Sequence, residues 1–144
     1  MKPRTKRRAS RRRVSLDRTI VLDAGALIGI EKNTERMRAL LEAPGRLGVG
    51  VRFVVPVGPL GQAWRGGPRQ VRLTRFLAQP EVETWALTEP MAKAAGILCA
   101  ETKSEDLADA TVILCARQSH AVSIVTSDIG DLRRLDSKVV LIEA

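Results

Sequence analysis

At 144 residues the chain has room for one domain with a real core, and it is too short for two. Its 44% hydrophobic content supports a packed, mainly aliphatic globule with only 3% aromatic residues. No apolar run approaches the ~18 residues of a membrane span. The net charge of +8 resides entirely within residues 1–18, where nine Lys or Arg face the single acid Asp17, so the rest of the chain is neutral.

Residues 1–18 therefore read as a basic tail, expected to be disordered because it has too little apolar surface to bury. Such a tail can hold nucleic acid through counterion release without reading sequence, or it is an extension with no role. No apolar stretch follows it as in a secretory signal, so a cytosolic protein without membrane contact is the default. Residues 19–144 form the domain.

Thr19–Asp23 is a β-branched, apolar run ending in an acid, the pattern of a buried strand. A short helix is expected over Ala24–Ile30. A second follows, capped by Asn33 or Thr34 and ended near Ala43 by Pro44-Gly45. Arg52–Val55 reads as a strand, Leu60–Trp64 and Pro68–Leu77 as helical pieces split by Gly66-Gly67, and Val82–Trp85 as a third strand. Thr88 caps a helix whose Met91, Ala95, Leu98 and Cys99 share a face. Ser104 is expected to cap the next helix, which runs to about Ser119, is apolar on most sides and so is central. Ala121–Val125, Asp128–Leu135 and Lys138–Ile142 then read as strand, helix and strand. This alternation implies an α/β fold, a central parallel sheet flanked by helices in three layers.

Cys99 and Cys115 sit in apolar segments and His120 has no histidine partner, so reduced thiols are expected and a zinc site is not. The acids say more. Active sites of open parallel sheets form beyond the carboxyl ends of the strands, where Asp23 and Asp128 fall. Asp109 lies early in the central helix, one turn after Asp106 and on the same face. Taken singly, Asp23 and Asp128 suit helix caps, and Asp106 suits a helix N-terminus. Asp109 precedes Ala-Thr-Val-Ile-Leu-Cys-Ala in a core helix, and a buried carboxylate without a partner is costly. Clustered carboxylates repel unless a cation neutralises them, and oxygen ligands favour Mg²⁺ or Mn²⁺ over zinc. The matching chemistry is metal-assisted phosphodiester hydrolysis.

Four segments resemble the PIN-domain family over about residues 19–142. They are Leu22-Asp23-Ala24-Gly25-Ala26-Leu27-Ile28, the stretch from Val55 to Arg65, Asp106-Leu107-Ala108-Asp109-Ala110, and Val125-Thr126-Ser127-Asp128-Ile129-Gly130-Asp131-Leu132. Within that family the chain is similar to VapC-like ribonuclease toxins. The resemblance implies a Mg²⁺-dependent endoribonuclease, held inactive by a small antitoxin protein and expected to form a homodimer. It makes Asp23, Asp109 and Asp128 catalytic and metal-binding, with Asp106 and Asp131 as supporting acids. Two positions depart from the family pattern. Gln62 stands where a glutamate is usual and supplies no negative charge, and Ala24 replaces a frequent hydroxyl residue.

Thr126 and Ser127 either orient water at such a site or stabilise the turn before the last helix. Arg65, Arg69, Arg72 and Arg75 would form one stripe on a continuous helix, suited to RNA phosphates or to solvent, unless Gly66-Gly67-Pro68 breaks the register. Trp64 reads as a core residue or part of an antitoxin groove. With so few aromatics, a structured RNA loop is favoured over extended single strands. Two other classes fit less of the pattern. One is a catalytically weak or inactive RNA- or antitoxin-binding module, suggested by Gln62. The other is a phosphoacceptor or phosphatase-like domain, disfavoured because Lys138 is poorly placed.

Overall fold

The computed structural model describes residues 18–144, so the tail expectation concerns residues outside that range, except for Arg18, which opens the first strand. Five strands, β1 (Arg18–Leu22), β2 (Val51–Pro56), β3 (Val82–Trp85), β4 (Ser123–Thr126) and β5 (Leu141–Glu143), form one parallel sheet in the order β3-β2-β1-β4-β5. Seven helices flank it: α1 (Ala24–Lys32), α2 (Glu35–Leu47), α3 (Val57–Ala63), α4 (Val71–Leu77), α5 (Glu89–Thr102), α6 (Leu107–Gln118) and α7 (Ile129–Leu135). This is the expected three-layer, PIN-like α/β fold. None of these helices is long and apolar enough to cross a membrane.

The alternation of strand side chains builds a core on each face. On one side Val21, Val54 and Ile124 pack with α5, α6 and α7; on the other Leu22, Phe53, Val55 and Val125 pack with α1, α2 and α4. Each fully buried Leu or Val contributes about 1.5–3 kcal/mol. The central helix is α6, buried continuously from Asp109 to Ala116. Cys115 lies within it, its thiol pushed up to about 11 by burial, and both cysteines are unpaired.

Several boundaries differ from the sequence expectation for local reasons. The α2 helix passes through Pro44 to Leu47, because Pro44 stands in its last turns and Gly48 supplies the left-handed ending at φ 66°. Asp106, rather than Ser104, caps α6, accepting the backbone N–H of Asp109 at 3.0 Å; the Ser104 hydroxyl accepts the N–H of Asp106 instead. The segment after α3 is not a continuous helix. Gly66 and Gly67 adopt φ 73° and 87°, a 3₁₀ turn covers Pro68–Gln70, and α4 starts only at Val71.

Candidate active site

Strand order reverses between β1 and β4. The chain leaves β1 into α1 on one face of the sheet and leaves β4 into α7 on the other, which opens a crevice at the carboxyl ends. Asp23 directly follows β1, its backbone N–H bonded to Val125 O at 3.0 Å. Its side chain does two jobs at once. Oδ1 accepts the N–H of Ala24 at 2.7 Å and caps α1, while Oδ2 accepts the hydroxyl of Thr126 at 2.7 Å. Thr126, fully buried at the end of β4, also accepts the backbone N–H of Asp128 at 2.9 Å.

Asp128 holds the N-terminal position of α7 but makes no capping bond with its side chain, which is exposed. Asp109 reaches the crevice from the first turn of α6, only 7% exposed. Carboxylate oxygens of Asp23, Asp109 and Asp128 all lie within 4.8 Å of one another. No ion pair among the described residues involves any of the three.

The electrostatics follow from that crowding. Burial, then the charges of Asp106 and Asp23, push Asp109 up from 3.8 to about 7. Burial also raises Asp23; the Thr126 hydroxyl and Ala24 N–H work against it, and Asp128 and Asp106 add to it. A set of hard oxygen donors whose charges are mutually unfavourable can bind a metal cation, which would relieve both the burial cost and the repulsion.

The other candidate residues divide by place. Asp106, Asp109 and Asp131 line a depression of about 340 Å³ with Ser104, Glu105 and Arg134. Asp131 is exposed and faces Arg134 at 3.9 Å. Ser127 is exposed at the turn and pressed against Gly25: a Cβ on Gly25 would fall 2.2 Å from its Oγ and 2.7 Å from its Cβ. Gln62 is exposed on α3, and no hydrogen bond among the described residues joins it to the aspartates.

The arginines do not form a single stripe. Arg65 and Arg69 line one groove, with Glu31 and Lys32, whereas Arg72 and Arg75 line another between α1, α2 and α4. None of them lines the depression that holds Asp106, Asp109 and Asp131. Trp64 is 40% exposed instead of packed in the core. Sequence reasoning also missed Gln70. Its side chain is buried at 1% exposure and tethers the Ala63–Gly66 loop, a role set by tertiary position that no local pattern signals.

A parallel α/β domain with three aspartates gathered where its strand order reverses defines a PIN-like domain carrying a candidate metal centre. No protein-family model and no curated protein matches the sequence. Solved structures do match in fold. A chain of VapBC2 from Rickettsia felis, bound to a DNA fragment from their promoter, superposes with a TM-score of 0.65 at 16% identity, over 87% of this chain and 98% of that one. A toxin–antitoxin complex from Klebsiella pneumoniae gives 0.63 at 15% identity, covering 85% and 95%. VapC20 of Mycobacterium tuberculosis, a sarcin-ricin loop cleaving toxin, gives 0.60 at 14% identity, covering 84% and 96%. The shared feature at these identities is the fold, the one the resemblance implied.

Proposed function

We propose that the chain is a metal-dependent endoribonuclease of the VapC type, the toxin half of a toxin–antitoxin pair. The observation that carries this reading is the convergence of Asp23, Asp109 and Asp128, two of them buried, without a basic partner among the described residues. Those three residues hold the cofactor, Mg²⁺ or in its place Mn²⁺, which when bound lowers the pKa of water and offsets charge on the phosphodiester.

The rest of the chemistry belongs to the chain. Thr126 fixes one oxygen of Asp23, and the other is fixed at the start of α1. Asp106 secures the first turn of α6, from which Asp109 projects. Asp106 and Asp131 stand at the rim as supporting acids, and Gln62 offers an amide where a fourth carboxylate is usual. The fold relatives support the choice of substrate and partner, since one cleaves the sarcin-ricin loop and another is a toxin–antitoxin complex. On this reading the chain works in the cytoplasm on RNA, as a homodimer restrained by a small antitoxin.

The test is cleavage of a total bacterial RNA pool by the purified chain with Mg²⁺, with Mn²⁺ and with EDTA, alongside Asp23→Asn. Discrete, metal-dependent products that vanish in the variant are expected; full activity in Asp23→Asn overturns the reading. A second reading, a PIN-fold module that binds RNA or antitoxin without turnover, is favoured by the uncharged Gln62. It requires a silent native chain and cleavage gained by Gln62→Glu, and EDTA-sensitive cleavage by the native chain eliminates it.

A further inference from the structure

Away from the aspartates, a groove of about 400 Å³ lies between the end of α1 and the 65–70 segment, lined by Glu31, Lys32, Arg65, Gly66, Arg69 and Gln70. Three cations meet one carboxylate there. Lys32, Arg65 and Arg69 are exposed and enter no ion pair among the described residues. Three positive charges facing the single carboxylate of Glu31 leave a net repulsion, and an anion in the groove offsets it.

The wall that carries the arginines is built to keep its shape. Gln70 Oε1 accepts the backbone N–H groups of Arg65 and Gly66, both at 2.8 Å, and its Nε2 donates to Ala63 O at 2.8 Å. Gly66 and Gly67 take left-handed conformations that other residues adopt only with strain. The Arg65 guanidinium donates to Trp64 O at 2.7 Å, which orients the fork while leaving further N–H groups free. Beside it stands Trp64, 40% exposed, its indole nitrogen 4.0 Å from where a Cβ on Gly66 would sit. Cations along a groove with an exposed aromatic at the edge match unpaired nucleic acid better than an acidic peptide, because the aromatic offers a base a stacking face. The groove is also suitably placed. Lys32 is at the far end of the helix that begins after Asp23, about 13 Å away at 1.5 Å per residue.

We propose that this groove binds the phosphodiester backbone of an unpaired RNA segment through Lys32, Arg65 and Arg69, with one base stacked on Trp64. The choice of ligand rests on the reading of the chain as a ribonuclease. Arg72 and Arg75, on the other groove, take no part.

The experiment measures binding of a fluorescently end-labelled RNA hairpin with an unpaired loop, in EDTA so that no cleavage intervenes, across a salt series. R65Q/R69Q keeps the side-chain stems and guards against a folding defect, which melting curves check. R46A removes a charge from α2 as a control. The double variant is expected to bind at least about tenfold more weakly, with the salt slope shallower by about 1.4 for two lost phosphate contacts on a single strand. Trp64→Ala is expected to lose about tenfold with little change in slope, and R46A to match the native chain. Native affinity and slope in R65Q/R69Q overturn the proposal, as does failure of the native chain to bind the hairpin. So does an R65Q/R69Q variant that loses binding only to a polyglutamate peptide, which would assign the groove to an acidic protein. Metal-dependent cleavage by the native chain, with hairpin binding unaffected in R65Q/R69Q, would leave the nuclease standing and remove the groove. Groove-dependent binding without cleavage would do the reverse.

Discussion

The hydroxyl of Thr126 donates to Oδ2 of Asp23 at 2.7 Å, joining the ends of two strands that are 103 residues apart in sequence. The Thr126 hydroxyl oxygen in turn accepts the N–H of Asp128, so one buried side chain sets the positions of two of the three clustered aspartates.

Thr126→Val keeps the shape and removes that link, leaving a buried carboxylate oxygen and the Asp128 N–H without this partner. The expected loss is about 1–3 kcal/mol of stability and, on the proposed function, about 10–100-fold in metal affinity or cleavage. Thr126→Ser, which restores the hydroxyl, should recover most of both. Denaturant melts and a Mg²⁺ titration of cleavage check it; a fully active Thr126→Val removes the role.

The raised pKa of Asp109 makes metal-free stability depend on pH. The folded chain holds this proton up to about pH 7, whereas an unfolded aspartate releases it near 3.8. The contribution is thus complete below about pH 4 and lost as pH rises through about 7. Melting temperature in EDTA should therefore fall between pH 5 and pH 8 relative to Asp109→Asn, in which this dependence is absent. Parallel pH profiles of the two proteins would contradict the assignment.

Metal binding gives an independent readout. A cation at free concentration c that binds only the folded chain stabilises it by RT ln(1 + c/Kd), so the melting temperature climbs with the logarithm of metal concentration once that exceeds Kd. Mg²⁺ or Mn²⁺ is expected to stabilise the native protein near neutral pH and to have little effect on Asp23→Asn. Equal shifts in both proteins would place the bound metal elsewhere.

Gly25 is set by contact with the neighbouring turn. A Cβ there meets Ser127 Oγ at 2.2 Å and Ser127 Cβ at 2.7 Å, so Gly25→Ala must push the α1 start and the β4–α7 turn apart. A cost of about 1–3 kcal/mol is expected. Ser127→Ala should relieve it only in part because Cβ remains, whereas G25A/S127G should recover most of it. Chemical denaturation of the native chain, G25A, S127G and G25A/S127G measures this coupling, and additive effects would refute the contact.

Gln70→Ala leaves the N–H groups of Arg65 and Gly66 and the carbonyl of Ala63 without their shared partner. The expected loss is on the order of 3 kcal/mol, with faster amide exchange at Arg65 and Gly66. Unchanged exchange at those two residues would show that the loop holds itself.

The fold class was legible in the sequence because a parallel sheet covered on both faces needs apolar strands alternating with helices, and Thr19–Asp23, Val82–Trp85 and the Asp109–Ala116 stretch display that need locally. Asp109 stood out for a related reason, since a carboxylate entering a core helix is a cost that local structure does not explain. Asp23 also suited a helix cap; its place at the carboxyl end of a buried strand and the family resemblance marked it. Tertiary structure decided what depends on chain segments far apart. It turned Thr126 into a clamp on Asp23, made Gly25 obligatory through Ser127, and placed Gln70 beneath a loop. It also divided the arginines between two grooves, because one helix stops at Ala63 and the chain turns through extended Trp64 and the positive-φ Gly66 and Gly67 before the next helix starts at Val71. Periodicity records which face of an element is buried; only packing determines which partner that face meets.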